Sequence, residues 1–555
     1  MLPGLQRAAC LALPLAHHAA CQAEFDFVGE QVPLGAVANG TYANCVRACK
    51  QLLAADRADL RAYYLDLPPD FQEQYYAVQQ KELTPTCVAE PQSAEAVGLV
   101  VQSVKEYQCP FVVKGGGHSV ATGTSNTNNG LVIDLRYMNQ ITVSEDRSQV
   151  SIGPGARWVD VYHQLEPLGL LVVGGRVSSV GVGGFMIGGG ISGLSRRYGW
   201  ALDNVLNYEV VLPNGTVANV NQKSHPDLFF ALRGGGPAFG VVTRFDVAAY
   251  PHTKVWAGTV VNILGDLSEK EAQLGLQEKL DWSLHSAGIK VVRWLQNAGT
   301  MLGYGARGRD YAEAFAQLAS DDQKDIAAHA YIFYSWIPYM KFYVTGGTFI
   351  YSEPVENPPV FSNLTSIPHM SNTGGLKQMS EMTDEIEKLN LYGYRHYWRT
   401  ATFKVNAAFI SELFDIVLAE TYDYRVAVPK GLPSCNLQLI TKHEIGLFSS
   451  NGGNAFGIKP EDGPLFLFSV TINYDSAKDD ELTKRVGDAI LDKAEARAKE
   501  LGLYHSFVYR NYASSQNAFA GFSAENQKRL LEIQEAYDPG RAFANLLPEL
   551  VQLQA

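Results

Sequence analysis

The densest chemical signal in the chain is Lys114-Gly-Gly-Gly-His-Ser119. Consecutive glycines after an apolar run free the backbone for positive φ and let its N–H groups converge on an anion. A loop built this way cradles a pyrophosphate without lysine or arginine. A triple glycine equally suits a simple tight turn. The neighbours distinguish this one: His118 where the loop ends, Ser119 beside it, and Asp134 closing the next apolar run. A second glycine-rich stretch covers 170–199. Within it, Gly188-Gly-Gly-Ile-Ser-Gly193 fits G-x-G-x-x-G, and Glu209 follows at about the distance of a ribose-binding acid. A dinucleotide fingerprint needs an apolar strand running straight into its first glycine. Here 181–187 is itself broken by glycine, which argues against a nicotinamide-nucleotide site.

Short β-like runs position these residues. Residues 110–114, 130–135 and 149–154 read as strands ended by glycine or proline. Residues 156–168 read as a helix stopped by Gly169, and 208–220 as a hairpin around Pro-Asn-Gly-Thr. Composition shifts near Pro251. Helical windows then appear at 269–285, 311–319, 376–389, 407–418 and 477–501, with strand-like segments at 330–334 and 465–472. Such alternation predicts an α+β domain with a sheet covered by helices. The tail carries one more helix, 524–537, ended by Asp538-Pro-Gly.

Several blocks together resemble the FAD-binding domain of the vanillyl-alcohol-oxidase superfamily. They are Phe111-Val-Val-Lys-Gly-Gly-Gly-His-Ser119, Asn129-Gly-Leu-Val-Ile-Asp-Leu135 and Ser151-Ile-Gly-Pro-Gly-Ala-Arg-Trp158. Gly174-Gly-Arg-Val-Ser-Ser-Val-Gly-Val-Gly-Gly184, Tyr198-Gly-Trp-Ala-Leu-Asp-Asn-Val205 and Phe239-Gly-Val-Val-Thr-Arg-Phe245 follow in order. The tail blocks Tyr509-Arg-Asn-Tyr512 and Tyr537-Asp-Pro-Gly-Arg541 are similar to the C-terminal part of berberine-bridge-like oxidases, the fungal ones above all. The resemblance implies an α+β, two-domain PCMH-type FAD-binding fold with an antiparallel-sheet substrate domain covered by helices. After a signal peptide (1–23), read from the layout of the first residues, it divides the chain into a FAD-binding domain (24–250, core about 83–250), a substrate-binding domain (251–503) and a C-terminal segment (504–555) completing the FAD domain.

The same resemblance assigns roles. His118 matches the histidine bonded to the flavin 8α-methyl carbon. Gly115, Gly116, Gly117 and Ser119 match the loop around the pyrophosphate, and Gly183, Gly184, Gly189 and Val242 match backbone positions near the cofactor. Val177 occupies the position where bicovalent members carry a cysteine bonded to flavin C6, which implies one covalent bond rather than two. Val180 matches the oxygen gate, and its small side chain implies reoxidation by O₂ to hydrogen peroxide. Tyr512, through the Asn-Tyr motif, and Tyr509 are the candidate bases for a substrate that delivers hydride to flavin N5. A tyrosine needs a neighbouring positive charge or hydrogen bonds to its anion to act near neutrality. Tyr512 equally suits a stacked wall of the substrate pocket.

The aromatic run Tyr331 to Tyr343 suits core packing better than a substrate cleft. In Tyr394-Arg-His-Tyr-Trp398, period two puts Tyr394, His396 and Trp398 on one strand face that can look toward the flavin.

At 555 residues the chain exceeds one compact core. Its net charge of −12, with acidic and basic residues mixed, gives no footprint for nucleic acid or an anionic membrane. Arg7, the apolar run 8–16 and Cys21-Gln22-Ala23 have the layout of a secretory signal, which places the protein in the secretory pathway or outside the cell. Cys45, Cys49, Cys87 and Cys109 then suit disulfides, with three pairings open, while Cys435 stands alone. No His or Cys set has metal-ligand spacing. Asn39, Asn214 and Asn363 lie in glycosylation acceptor patterns.

The expected activity is oxidation of an alcohol, amine or related carbon centre of a small secondary metabolite, with O₂ as second substrate. The alternatives are a carbohydrate oxidase, a flavin dehydrogenase with another acceptor, and a non-catalytic flavin-binding protein.

Overall fold

The computed structural model describes residues 40–264, 305–306, 308–320, 325–339, 342–514, 516–549 and 552–553. The expected signal segment, Asn39 and the helical window 269–285 lie outside them.

The described residues open with a helix, Gly40–Ala54, pinned by two disulfides, Cys45–Cys109 and Cys49–Cys87. These settle the pairing that spacing left open, and Cys435 is buried and free. The first sheet runs Leu60–Tyr64, Cys87–Pro91, Leu131–Asp134, Phe111–Lys114, with its last three strands parallel. Parallel strands need covered faces, and the helix Ala94–Tyr107, capped by Ser93, packs its Val97, Val100, Val101 and Val104 beneath the sheet. A second, antiparallel sheet orders Ile141–Val143, Gln149–Ile152, Val241–Ala248, Val205–Val211 and Val217–Val220. The predicted strands and hairpin fall here within a few residues. The predicted 156–168 helix is Trp158–Leu165 followed by one 3₁₀ turn, stopped by Gly169 at φ 64°.

After Pro251 the chain builds a large sheet around Val255–Leu264, Phe342–Tyr351, Ala328–Ile337, Leu432–Ile440, Leu465–Tyr474 and Arg395–Lys404. All neighbouring pairs among these long strands are antiparallel. The helices Gly308–Ser320, Ala407–Glu420 and Asp480–Glu500 cover one face. Leu465 to Ile472 shows why this strand is apolar almost throughout. Phe466, Phe468, Val470 and Ile472 pack under the helices, while Leu465 and Leu467 join the core of the preceding sheet. Both faces are buried, so alternation gives way to a continuous run.

Polar clamps hold this sheet against the N-terminal half. Arg233 pairs with Asp203 at 3.2 Å and donates to the carbonyls of Ser450, Asn451 and Gly453. The Trp200 indole donates to Glu444 at 2.6 Å. Beyond Tyr504 the tail returns to the first half, where Phe543 packs its ring edge against Phe111 at 5.2 Å.

Candidate active site

A cavity of about 350 Å³ runs between the first two sheets, the large sheet and the returning tail. It is lined by Gly115, Gly116, Gly117, His118, Ser119, Val177, Val180, Gly183, Gly184, Val242, Tyr509 and Tyr512. These residues span nearly four hundred positions of sequence and meet in one space. Gly189 is the exception. It does not line the cavity but sits behind it, at φ 135°, where a Cβ would meet the rings of Tyr509 and Trp200 within 3 Å. Its glycine serves packing behind the site.

The triple glycine is explained mainly by close approach. Only Gly117 has positive φ, at 70°. Gly116 is glycine because its backbone lies against Gly181, whose Cα and N would be 2.6 Å from a Cβ. Lys114, despite its place in the motif, does not face the cavity as a free cation. Its ammonium bonds Asp134 at 2.8 Å in a buried pair, and burial holds its pKa below the ordinary lysine range. The preceding segment closes over the loop, with Tyr76 N–H donating to the Gly117 carbonyl at 3.1 Å.

His118 lies at the inner end of this loop. Burial pushes its imidazole down to about 4, with Glu387 acting in the opposite sense, so the ring is neutral at ordinary pH. Its Nε2 has no hydrogen-bond partner among the described residues. A tight turn, with Val180 N–H bonded to Val177 O at 3.3 Å, puts both valines on the cavity wall.

The tail turn Arg510–Tyr512 sends its side chains to separate duties. Tyr509, just before it, is buried and accepts from the N–H groups of Gly190 (3.1 Å) and Ile191 (3.4 Å). Burial pushes its hydroxyl well above the usual tyrosine range. Tyr512 stands edge-on to Trp398 at 5.4 Å; of the face expected from period two, Trp398 lines the cavity while Tyr394 and His396 do not.

The Tyr512 hydroxyl accepts from Arg176 at 3.0 Å. Arg176 also donates to Gln438 Oε1 at 2.7 Å, bonds His329 Nε2 at 3.1 Å and lies over the Tyr331 ring. Burial and the nearby guanidinium hold His329 well below its ordinary value, so it serves as a neutral acceptor.

Arg176 and Arg510 are the charged cavity residues that the sequence reading missed, although both sit inside blocks quoted for the family resemblance. A charged side chain directly after two glycines, or between two tyrosines, was the available signal. Arg510 lies over Gly236, where a Cβ would come within 3.0 Å of the guanidinium carbon. Its Nε and Nη2 have no partner among the described residues, and burial alone pushes it down to about 10. An uncompensated guanidinium facing a cavity is costly unless an anion answers it. The neutral imidazole with its unpartnered Nε2, the unanswered cation, the largely apolar walls and the glycine cradle together fit a flavin dinucleotide.

Similarity to known proteins agrees. A model of the FAD binding domain matches residues 85–221. FAD-dependent monooxygenase FUP4 of Fusarium proliferatum is 31% identical over 533 residues, covering 91% of this chain and 94% of that one. The chain belongs to the berberine-bridge-like family of FAD-dependent oxidoreductases. FAD-dependent monooxygenase tpcD of Cochliobolus heterostrophus is a second relative, 32% identical over 492 residues, with 85% and 86% of the two chains covered. Among solved structures, glucooligosaccharide oxidase from Acremonium strictum, described with a 6-S-cysteinyl, 8α-N1-histidyl FAD, has a TM-score of 0.67 at 18% identity, covering 91% and 99%. Berberine bridge enzyme in complex with (S)-reticuline has a TM-score of 0.66 at 15% identity, covering 90% and 97%. This berberine-bridge-like enzyme therefore shares its fold with both.

The G-x-G-x-x-G match at 188–193 follows a helix, Val182–Ile187, rather than a strand, and Glu209 pairs with Arg244 at 2.8 Å. Neither feature belongs to a nicotinamide site. The aromatic run divides: Tyr334 and Tyr343 are core residues, while Tyr339 is 81% exposed.

Proposed function

We propose that this protein is a FAD-linked oxidase of a small organic substrate, an alcohol, amine or related carbon centre of a secondary metabolite, with the flavin 8α carbon joined to His118. The observation that carries the reading is the Tyr512–Arg176 hydrogen bond in the same cavity as a neutral His118 whose Nε2 has no hydrogen-bond partner among the described residues. FAD, when bound, supplies hydride acceptance at N5 and passes the electrons to O₂, giving hydrogen peroxide.

The protein's part is proton handling and position. Tyr512 takes the proton from the substrate hydroxyl or amine. Arg176, held by Gln438 and His329, stabilises the phenolate form of Tyr512 that accepts this proton, and the transfer leaves a neutral phenol. Tyr509, locked by two backbone N–H groups, is the wall that fixes Tyr512 rather than a second base. Arg510 answers the diphosphate, and the 115–117 and 183–184 glycines let the dinucleotide lie against backbone. Val177 offers no nucleophile at the position that the family resemblance gives to the second, cysteinyl attachment, so His118 makes the one covalent link. Two disulfides support folding in the secretory pathway.

Two measurements test this. Acid-denatured wild type should keep its yellow colour on the polypeptide, and His118→Ala should release it. Colour lost from a flavin-loaded wild type would reject the covalent link. The names of the relatives favour a second reading, a monooxygenase. Turnover under ¹⁸O₂ separates the two. Labelled peroxide with unlabelled product supports the oxidase, and label in the product supports the monooxygenase.

A further inference from the structure

We propose that Tyr76 and His396 form a brace that fixes the plane of the His118 imidazole, and that attachment of the flavin depends on it; this rests on His118 being the attachment point. The three rings stack in one column. Tyr76 lies on His118 with centroids 4.1 Å apart and planes 9° from parallel. On its other face Tyr76 meets His396 at 4.2 Å and 22°. Tyr392 closes the column edge-on against Tyr76 at 5.1 Å.

Each ring is held from a different part of the chain. Tyr76 is 3% exposed, and its N–H bonds the Gly117 carbonyl. His396 bonds Asn473 Oδ1 through Nδ1 at 2.7 Å. Gln79 ties the backbones together, donating to His396 O at 2.6 Å and to Val120 O at 3.0 Å. The column thus joins the segment before the first domain's core, the glycine loop and the strand Arg395–Lys404 of the large sheet.

The chemistry explains why a fixed plane matters. An imidazole nitrogen attacks along a lone pair that lies in the ring plane, so a tilted ring misdirects it. Joining that nitrogen to the 8α carbon forms one C–N bond and breaks one N–H and one C–H bond. The two protons and the electron pair pass to the flavin, and dioxygen removes them as hydrogen peroxide. Parallel stacking on Tyr76 blocks tilting without using either ring nitrogen. Burial pushes both histidines to about 4, which keeps the column uncharged at neutral pH.

Tyr76 and His396 are positioning residues, and the readout is the covalent fraction of bound flavin. Wild type, Tyr76→Phe, Tyr76→Leu and His396→Leu are prepared as apoprotein and given FAD. Total flavin is read by absorbance and attached flavin by fluorescence of the denatured polypeptide. Tyr76→Phe keeps the stack and should attach flavin as wild type does. Tyr76→Leu should bind FAD yet attach it on the order of 10–100-fold more slowly, as a misplaced nucleophile would. If Tyr76→Leu does not fold, His396→Leu carries the test, with slower attachment again expected. Attachment at the wild-type rate in a folded Leu variant would overturn the brace. Absence of attached flavin in wild type would instead reject His118 as the attachment point, so the two failures are distinguishable.

Discussion

The guanidinium of Arg176 and the hydroxyl of Tyr512 meet at 3.0 Å although 336 positions separate them in the chain. Arg176 comes from the glycine-rich stretch of the first half, and Tyr512 from the tail that folds back over it. Gln438 and His329, both on the large sheet, complete the cluster. The pair therefore exists only when sheet, tail and N-terminal half are docked together.

If Tyr512 is the base, Tyr512→Phe should lower kcat by about 10²–10⁴-fold with bound flavin unchanged. Arg176→Gln should also lower kcat while leaving the tyrosine in place. Because the two act on one oxygen, the double variant should lose little more than Tyr512→Phe alone. Steady-state kinetics on all three checks this. Fully additive losses would mean that Arg176 acts on the substrate independently of Tyr512.

Arg510 gives a prediction with opposite signs in two states. Charged hydrogen bonds contribute about 1.5–3 kcal/mol, so Arg510→Leu in a His118→Ala background should weaken FAD binding by about 10–150-fold. Riboflavin, which lacks the diphosphate, should bind both forms equally. The apoprotein of Arg510→Leu should melt higher than its parent, since a buried cation without a partner has been removed. Titration calorimetry and thermal melts read the two effects. Equal loss for FAD and riboflavin would place Arg510 at the ring system instead.

Much of the fold was legible because its signals are local. The strands at 111–114 and 131–134, the Gly169 stop and the hairpin at 205–220 follow from glycine, proline and apolar runs. The family blocks single out His118 and Tyr512, and both line the cavity. What was missed depends on distant parts of the chain meeting. Tyr76 has no motif of its own and matters only because Gly117 lets the 74–76 segment lie on the loop. Long strands such as Val255–Leu264 and Phe342–Tyr351 carry glycine and polar residues that blur their period, and their pairing across the sheet stabilises them. Gly189 was misplaced because its motif identifies a glycine without saying which neighbour requires it.

Val180 lines the cavity with a short side chain, and its backbone is fixed by bonds to Val177 and Trp158. Substitution there changes bulk without releasing the turn. If this is where dioxygen approaches, Val180→Leu should slow reoxidation of the reduced enzyme while leaving anaerobic reduction by substrate near the wild-type rate. Stopped-flow measurement of the two half-reactions separates them. An unchanged oxygen rate would favour a dehydrogenase that uses another acceptor.

Glu444 provides a stability test independent of any cofactor. It is buried beneath the Trp200 indole, and burial raises its carboxyl to about 7, with the Trp200 hydrogen bond and Arg196 acting in the opposite sense. The unfolded chain ionises near 4.5. Between those values the native state holds more protons than the unfolded one, so this contribution is complete below pH 4.5 and is lost as pH rises through 7. Asp203, raised to about 6 by burial, runs the same way. His118 and His396, lowered to about 4, run the other way and weaken the fold as pH falls from 6.5. Comparing Glu444→Gln with wild type cancels these shared slopes, and the glutamine oxygen still accepts the indole N–H. The variant should gain on wild type as pH rises from 5 to 8, by a few kcal/mol at most. Urea midpoints at constant m-value measure the difference, and parallel curves across that range would show that Glu444 stays ionised in the fold.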